Sequence, residues 1–163
     1  MKVLKNKQII EIEWKVSDQP DAEGRIIFPY KTFLANQKTL LARTDPTGVI
    51  LDGGASLDDI ANALDNLELI ALEFHKFTDG RCFTLARLLR EAYGFQGDIL
   101  ATGDILTDQI AHMQRCGINL LRLRNEHEIN MALGALTSQT VFYQPAADDQ
   151  QTIRQLRYDL DTR

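Results

Sequence analysis

Apolar and polar residues alternate strictly over residues 8–17. Ile10, Ile12, Trp14 and Val16 fall on one side and Glu11, Glu13, Lys15 and Ser17 on the other. A period of two predicts a half-buried strand. A polar loop containing Pro20 follows over 18–24, and Arg25-Ile26-Ile27-Phe28 is a short apolar run. Pro29 suits the entry of a helix reaching about Ala42, and Asp45-Pro46-Thr47-Gly48 reads as a turn.

From Val49 the pattern becomes a rhythm of strand and helix. Val49-Ile50-Leu51 is a strand ending at Asp52-Gly53-Gly54. Ser56 with Asp59 has the spacing of a capping box, ahead of Leu57, Ile60, Ala61 and Leu64 on one helical face. A second strand runs over 69–74. The helix after it should turn Leu85, Leu88, Leu89 and Ala92 inward and stop at Gly94. The third strand, 98–102, ends in Gly103-Asp104, and its helix starts near Thr107, buries Ile110 and Met113, and stops at Gly117. The fourth strand covers 118–123. Asn125 with Glu128 would cap a helix carrying Ile129, Ala132, Leu133 and Leu136. Thr140-Val141-Phe142-Tyr143 reads as a fifth strand, and 145–163 as a polar tail with one loose helix.

Repeated strand–helix units of this length imply an α/β fold with a mainly parallel sheet, and near-continuous apolar runs suit strands covered on both faces. Two architectures fit: an open twisted sheet or a partial TIM-like barrel. The alternating N-terminal strand is of another kind and should add an antiparallel element at an edge. The 163 residues are expected to form a single α/β domain, with an N-terminal strand region (1–28), a βα-repeat core (48–144) and the polar tail (145–163).

Composition narrows the function. A net charge of −5 argues against a nucleic-acid partner, since phosphate neutralisation needs a basic face. No apolar run approaches the roughly 18 residues of a membrane span, and residues 1–7 lack the apolar stretch of a signal peptide. Cys82 and Cys116 form no CxxC pair and suit two buried thiols of a cytoplasmic protein. The apolar side of the N-terminal strand leads to the expectation of a homodimer.

In a parallel sheet, ligand groups gather at the carboxyl ends of strands. The residues arriving there are Asp52, His75, Asp79, Arg81, Asp104 and Arg124. Asp79-Gly80-Arg81 is the most telling turn: glycine allows close approach, and its flanks offer an acceptor and a forked donor. Arg81 and Arg124 suit an oxyanion. Equally, Asp79 can cap the helix and Arg81 can pair with a carboxylate as scaffolding. His75 is either an acid–base group or an exposed strand-end histidine. Cys82, beside Arg81 near a helix start, has the setting of an activated thiol, without a base at triad spacing. Arg87 and Arg90 read as a solvated helix face or a basic contact strip. Asp52-Gly53-Gly54-Ala55-Ser56 has the make-up of a backbone nest but no Walker-A spacing. With no GxGxxG, no cysteine cluster and no spacing that links His75, His112 and His127, the chain is expected to carry no cofactor and no metal. No complete catalytic constellation emerges, so whether it is an enzyme stays open.

The segments 77–90, 97–109 and Arg115-Cys116-Gly117 resemble a bacterial family of unknown function whose members are labelled oxidoreductases of sulfite reduction. Such members are encoded beside sulfite reductase and the sulfate-assimilation reductase. Cys82-Phe83-Thr84 stands where that family places a small residue and a Tyr/Phe-Ser pair. Leu100-Ala101-Thr102-Gly103 stands where it often has Arg-Ala-Val-Gly. The resemblance implies a cytoplasmic accessory role in assimilatory sulfite reduction, with sulfite reductase or another sulfate-assimilation enzyme as partner. The alternative from the residues is a small enzyme acting on an anionic metabolite held at the Asp-Gly-Arg turn.

Overall fold

The structure is a computed structural model that describes residues 1–123, 126–138, 141–148 and 150–161. Eight strands form one sheet: β1 (Lys2–Lys5), β2 (Gln8–Glu11), β3 (Lys15–Val16), β4 (Ile26–Pro29), β5 (Thr47–Asp52), β6 (Leu69–Phe74), β7 (Asp98–Gly103) and β8 (Leu120–Leu121). Their spatial order is β2-β1-β8-β7-β6-β5-β4-β3. From β3 to β8 every pairing is parallel, while β1 is antiparallel to both β8 and β2.

Strand order settles the choice between the two architectures. Neighbours in the parallel part are also neighbours in sequence, with no reversal. Helices that cross over in one sense then all land on one face. The side chains agree. Val49, Leu51, Ile70, Leu72, Ile99 and Ala101 share one buried cluster with Phe33, Leu40, Leu89, Met113 and Ala132 from the helices α1 (Tyr30–Ala35), α2 (Gln37–Leu41), α3 (Arg81–Glu91), α4 (Ile110–Arg115) and α5 (Glu126–Ser138). The alternate residues Ile27, Leu69, Ala71, Leu100 and Leu120 form a second, smaller cluster without helical members among the described residues. The sheet is thus a curled half-barrel with helices outside and a small apolar filling inside. The strands are covered on both faces, as the apolar runs suggested, but helices supply only the outer cover.

The inner face is covered by the N-terminus instead. Residues 12–14 leave β2 at one sheet edge and enter β3 at the other, so they strap across the open side. Trp14 sits under this strap, 6% exposed, with Val3, Ile27 and Leu69. Gly48 makes room for it: a β-carbon there would lie 2.8 Å from the Leu69 carbonyl oxygen and 3.4 Å from Trp14 Cζ3. The single strand expected over 8–17 is therefore two strands with a switch of partner between them, preceded by β1. Its burial alternation survives through Ile10, Ile12 and Trp14, because the extended chain keeps its period while changing edges; Val16 is exposed.

Other elements shift for local reasons. The helix expected over 29–42 breaks at Asn36, whose side-chain amide donates to the Thr32 carbonyl at 3.0 Å and competes with the helical ladder. The Ser56–Asp59 capping box does not form. The Asp59 carboxylate accepts from the Tyr30 hydroxyl at 2.6 Å, and the segment becomes a 3₁₀ helix, Ala61–Asn66. On α3 the buried stripe is Cys82, Leu85, Ala86 and Leu89, while Leu88 and Ala92 face out. β8 pairs only through Leu120–Leu121. Within the expected fifth strand, Phe142 makes an isolated bridge to Thr152, outside the sheet formed by the described residues. The expected cap residue Asn125 lies outside the described residues, as does Thr140.

The C-terminal stretch is better built than a loose tail. Thr152 and Gln155 form a reciprocal cap, with the Gln155 amide donating to Thr152 Oγ1 at 3.3 Å and the Thr152 amide donating to Gln155 Oε1 at 2.7 Å. This cap starts α6 (Ile153–Asp161). Arg115 reaches across to Asp148 at 2.6 Å and lies over the Phe142 ring. Among the described residues, no helix is long and apolar enough to cross a membrane.

Candidate functional site

The carboxyl ends of β5, β6 and β7 converge at one rim of the half-barrel, where the fold gathers ligand groups. β6 delivers a loop over 75–80 that leads into α3. Asp79 accepts from the Arg81 backbone amide at 3.2 Å and takes the Arg81 guanidinium in a two-pronged grip, with Nε to Oδ1 at 2.9 Å and Nη2 to Oδ2 at 2.7 Å. That guanidinium, hydrogen-bonded to Asp79, holds its carboxyl at about 2. Of the two readings of this turn, the structure builds the paired one, yet on the surface: the Arg81 side chain is 65% exposed.

The glycine that matters is not Gly80. Its φ is −79°, and a β-carbon there would meet nothing. Close approach occurs at Gly53, where a β-carbon would sit 2.9 Å from Arg81 Cβ and 3.0 Å from Nε. Arg81 thus lies over Gly53-Gly54. The nest suggested by that segment is closed on itself, since the Gly54 amide donates to Asp52 Oδ1 at 2.7 Å and the Ala55 amide to the Asp52 carbonyl at 3.1 Å.

His75 stands between two carboxylates, with Nε2 3.8 Å from Asp52 Oδ2 and Nδ1 3.9 Å from Glu73 Oε2. Both distances are beyond hydrogen-bonding range. Asp104 is a loop holder: its carboxylate accepts from the Phe77 amide at 3.1 Å, and its own amide donates to the Phe74 carbonyl at 2.7 Å. Gln109 adds a side-chain bond to the Phe77 carbonyl at 3.0 Å. Arg124 lies outside the described residues, so a clamp formed with Arg81 is not on view.

Cys82 is not an activated thiol. It is buried beneath the loop with Sγ 3.4 Å from the Glu73 carbonyl oxygen, and burial first, then the nearby Asp79 and Asp52 charges, push it up to about 11 against the opposing pull of Arg81. Burial likewise raises Cys116. Arg90 is no contact strip; it donates to the Gly117 carbonyl at 3.1 Å, to that of Gly97 at 2.8 Å, and to that of Phe95. Arg87 pairs with Glu91 at 2.8 Å on the open face.

Three rim residues, Glu73, Thr102 and Arg122, escaped the sequence reading. Glu73 and Thr102 are register neighbours of the expected Asp52 along β5, β6 and β7, and Arg122 follows β8 with its amide donating to the Ala101 carbonyl at 3.0 Å. Each stands two positions beyond an inner-face residue: Ile50, Ala71, Leu100 and Leu120. All four therefore belong to the concave face. Glu73, a charge inside an otherwise apolar strand and in phase with Leu69 and Ala71, was the available signal. Among the described residues no group of three or more His, Cys, Asp and Glu is placed to hold a metal ion.

The family model described as "Bacterial protein of unknown function (DUF934)" matches residues 48–154. The chain belongs to that family. The DUF934 match begins in β5 and runs to the first turn of α6, so it contains the whole rim and the Asp-Gly-Arg turn and leaves out the hairpin and the strap. Among curated proteins no sequence matches.

The Asp79–Arg81 pair gives a direct titration. A carboxyl whose folded pKa is depressed stabilises the fold above its unfolded value, and that contribution is lost as the pH falls through the folded pKa. Here the window runs from the ordinary 3.8 down to about 2. In Arg81→Ala the Asp79 carboxyl, followed by NMR, should titrate higher, toward its ordinary value, with the retained backbone amide of residue 81 still lowering it. An unchanged midpoint would mean that another group holds it.

Proposed function

We propose that this DUF934 chain is a cytoplasmic accessory protein of assimilatory sulfite reduction, working without a cofactor of its own and docking on sulfite reductase or another sulfate-assimilation enzyme through the turn at residues 77–81. The observation that carries this reading is the state of Arg81. It is locked by Asp79, laid over Gly53-Gly54 and exposed, which suits a rigid surface contact better than an anion clamp. The sulfur assignment rests on the resemblance of segments 77–90 and 97–109. A strain lacking the gene should fail on sulfate or sulfite as sole sulfur source and grow on sulfide or cysteine. Arg81→Ala should fail to complement it while melting within a degree or two of the parent chain, because an exposed arginine adds little to stability. Normal growth of the deletion strain on sulfate defeats the proposal.

We further propose a homodimer through the outer edge of β2. Among the described residues that strand pairs only with β1, and Ile9 on it is 52% exposed. Removing the N-terminus is no test, since Val3, Leu4 and Trp14 are core residues. Ile9→Lys keeps the core and places a charge on the edge. Light scattering should find dimers of the parent chain and monomers of the variant; a monomeric parent refutes the idea.

A further inference from the structure

Beyond the docking turn, the concave rim carries a second, separate arrangement of charge. Reading across the carboxyl ends of β5 to β8, the inner face presents Asp52, Glu73, Thr102 and Arg122: two carboxylates, a hydroxyl and a guanidinium. Arg122 is exposed and has no ion-pair partner among the described residues. It lines a cavity of about 390 Å³ together with Thr102, Gly103 and Leu123. That volume is within the range of small-molecule sites. His75 stands over the acidic end of the row.

We infer that this rim binds a small zwitterion of the α-amino-acid class, with its carboxylate on Arg122 and Thr102 and its ammonium on Glu73. The order of charges is the argument. An anion alone on Arg122 and Thr102 would sit one to two strands, about 5–10 Å, from β6 and be repelled by the Glu73 carboxylate. A cation alone would leave Arg122 unused and repel it. A molecule carrying both charges satisfies the row from one end to the other. Glu73 and Arg122 lie two strands apart, about 10 Å, a span that flexible side chains and a small ligand with hydrogen bonds of about 2.8 Å at each end can close. Asp52 and His75 act on the ligand through Glu73 and are positioning residues. Arg81 takes no part, so this inference stands or falls independently of the docking reading.

The test is calorimetric titration of the full chain with L-serine and L-cysteine, beside acetate and sulfite as anions alone and ethylamine as a cation alone. The amino acids should bind at millimolar or lower concentration, and the single-charge probes at least about tenfold more weakly. Arg122→Gln and Glu73→Gln should each weaken amino-acid binding by about tenfold or more while leaving the melting temperature of the free chain unchanged, since both side chains are surface groups. Arg81→Ala should bind as the parent does. Failure of both amino acids to bind, sulfite or acetate binding as tightly as they do, or indifference to the Arg122 and Glu73 substitutions would each overturn the proposal.

Discussion

Replacing Gly103 by alanine is expected to destabilise the protein by about 3–5 kcal/mol, lowering the melting temperature by roughly 10 °C or more. Gly103 closes β7 with φ at +95°, a region that disfavours side chains, and a β-carbon there would collide with the Phe74 carbonyl on β6. The collision is with backbone, which has nowhere to move: the same carbonyl accepts from the Asp104 amide at 2.7 Å. Urea or thermal unfolding of Gly103→Ala measures the loss. The loop over 75–80 should suffer with it, because Asp104 pins that loop at Phe77. A variant melting within two degrees of the parent would show that the strand end yields more easily than these contacts imply.

Arg90→Met should cost about 2–4 kcal/mol, although arginines on helices are seldom structural. Its guanidinium joins three carbonyls, of Phe95, Gly97 and Gly117, that no element of secondary structure serves, and lies over the Phe95 ring. Gly117 adopts φ of +93° and packs directly on its stem. One side chain thus fastens the turn after α3 to the turn after α4. Methionine keeps the stem and removes every donor, so the measured loss isolates the polar contribution. Arg87→Met, one turn earlier, removes only an exposed pair with Glu91 and should leave the melting temperature unchanged. Equal effects for the two would disprove this assignment.

These two arginines show where sequence and fold part company. Both sit at helical spacing beside Glu91, and no local pattern separates a solvated arginine from one that reaches loops 5, 7 and 27 residues away. The strands were legible because burial imposes composition: β6 occupies the residues its apolar run marked, and β5 and β7 extend their predicted cores by only a few positions. Strand order was not, since periodicity carries no record of neighbours. The buried stripe of α3 departs from the leucine pattern because close packing on the sheet selects the small Cys82 and Ala86. At the rim, the Asp-Gly-Arg turn announced itself through unusual residues. The row of Glu73, Thr102 and Arg122 becomes evident only once it is known which face of each strand is concave.

The strap has a consequence for biosynthesis. Val3, Leu4 and Trp14 emerge from the ribosome well before β8, yet Leu4 pairs with Leu121, which follows more than a hundred residues later. At about 5–20 residues per second, the hairpin of β1 and β2 waits roughly 6–23 s for β8. Its neighbours during that interval are its own β2 and whatever nascent-chain chaperone attends the tunnel exit. This early segment is thus among the last to be secured, and a hairpin that pairs early with a second nascent chain instead of β8 would exchange strands between two chains rather than close its own sheet.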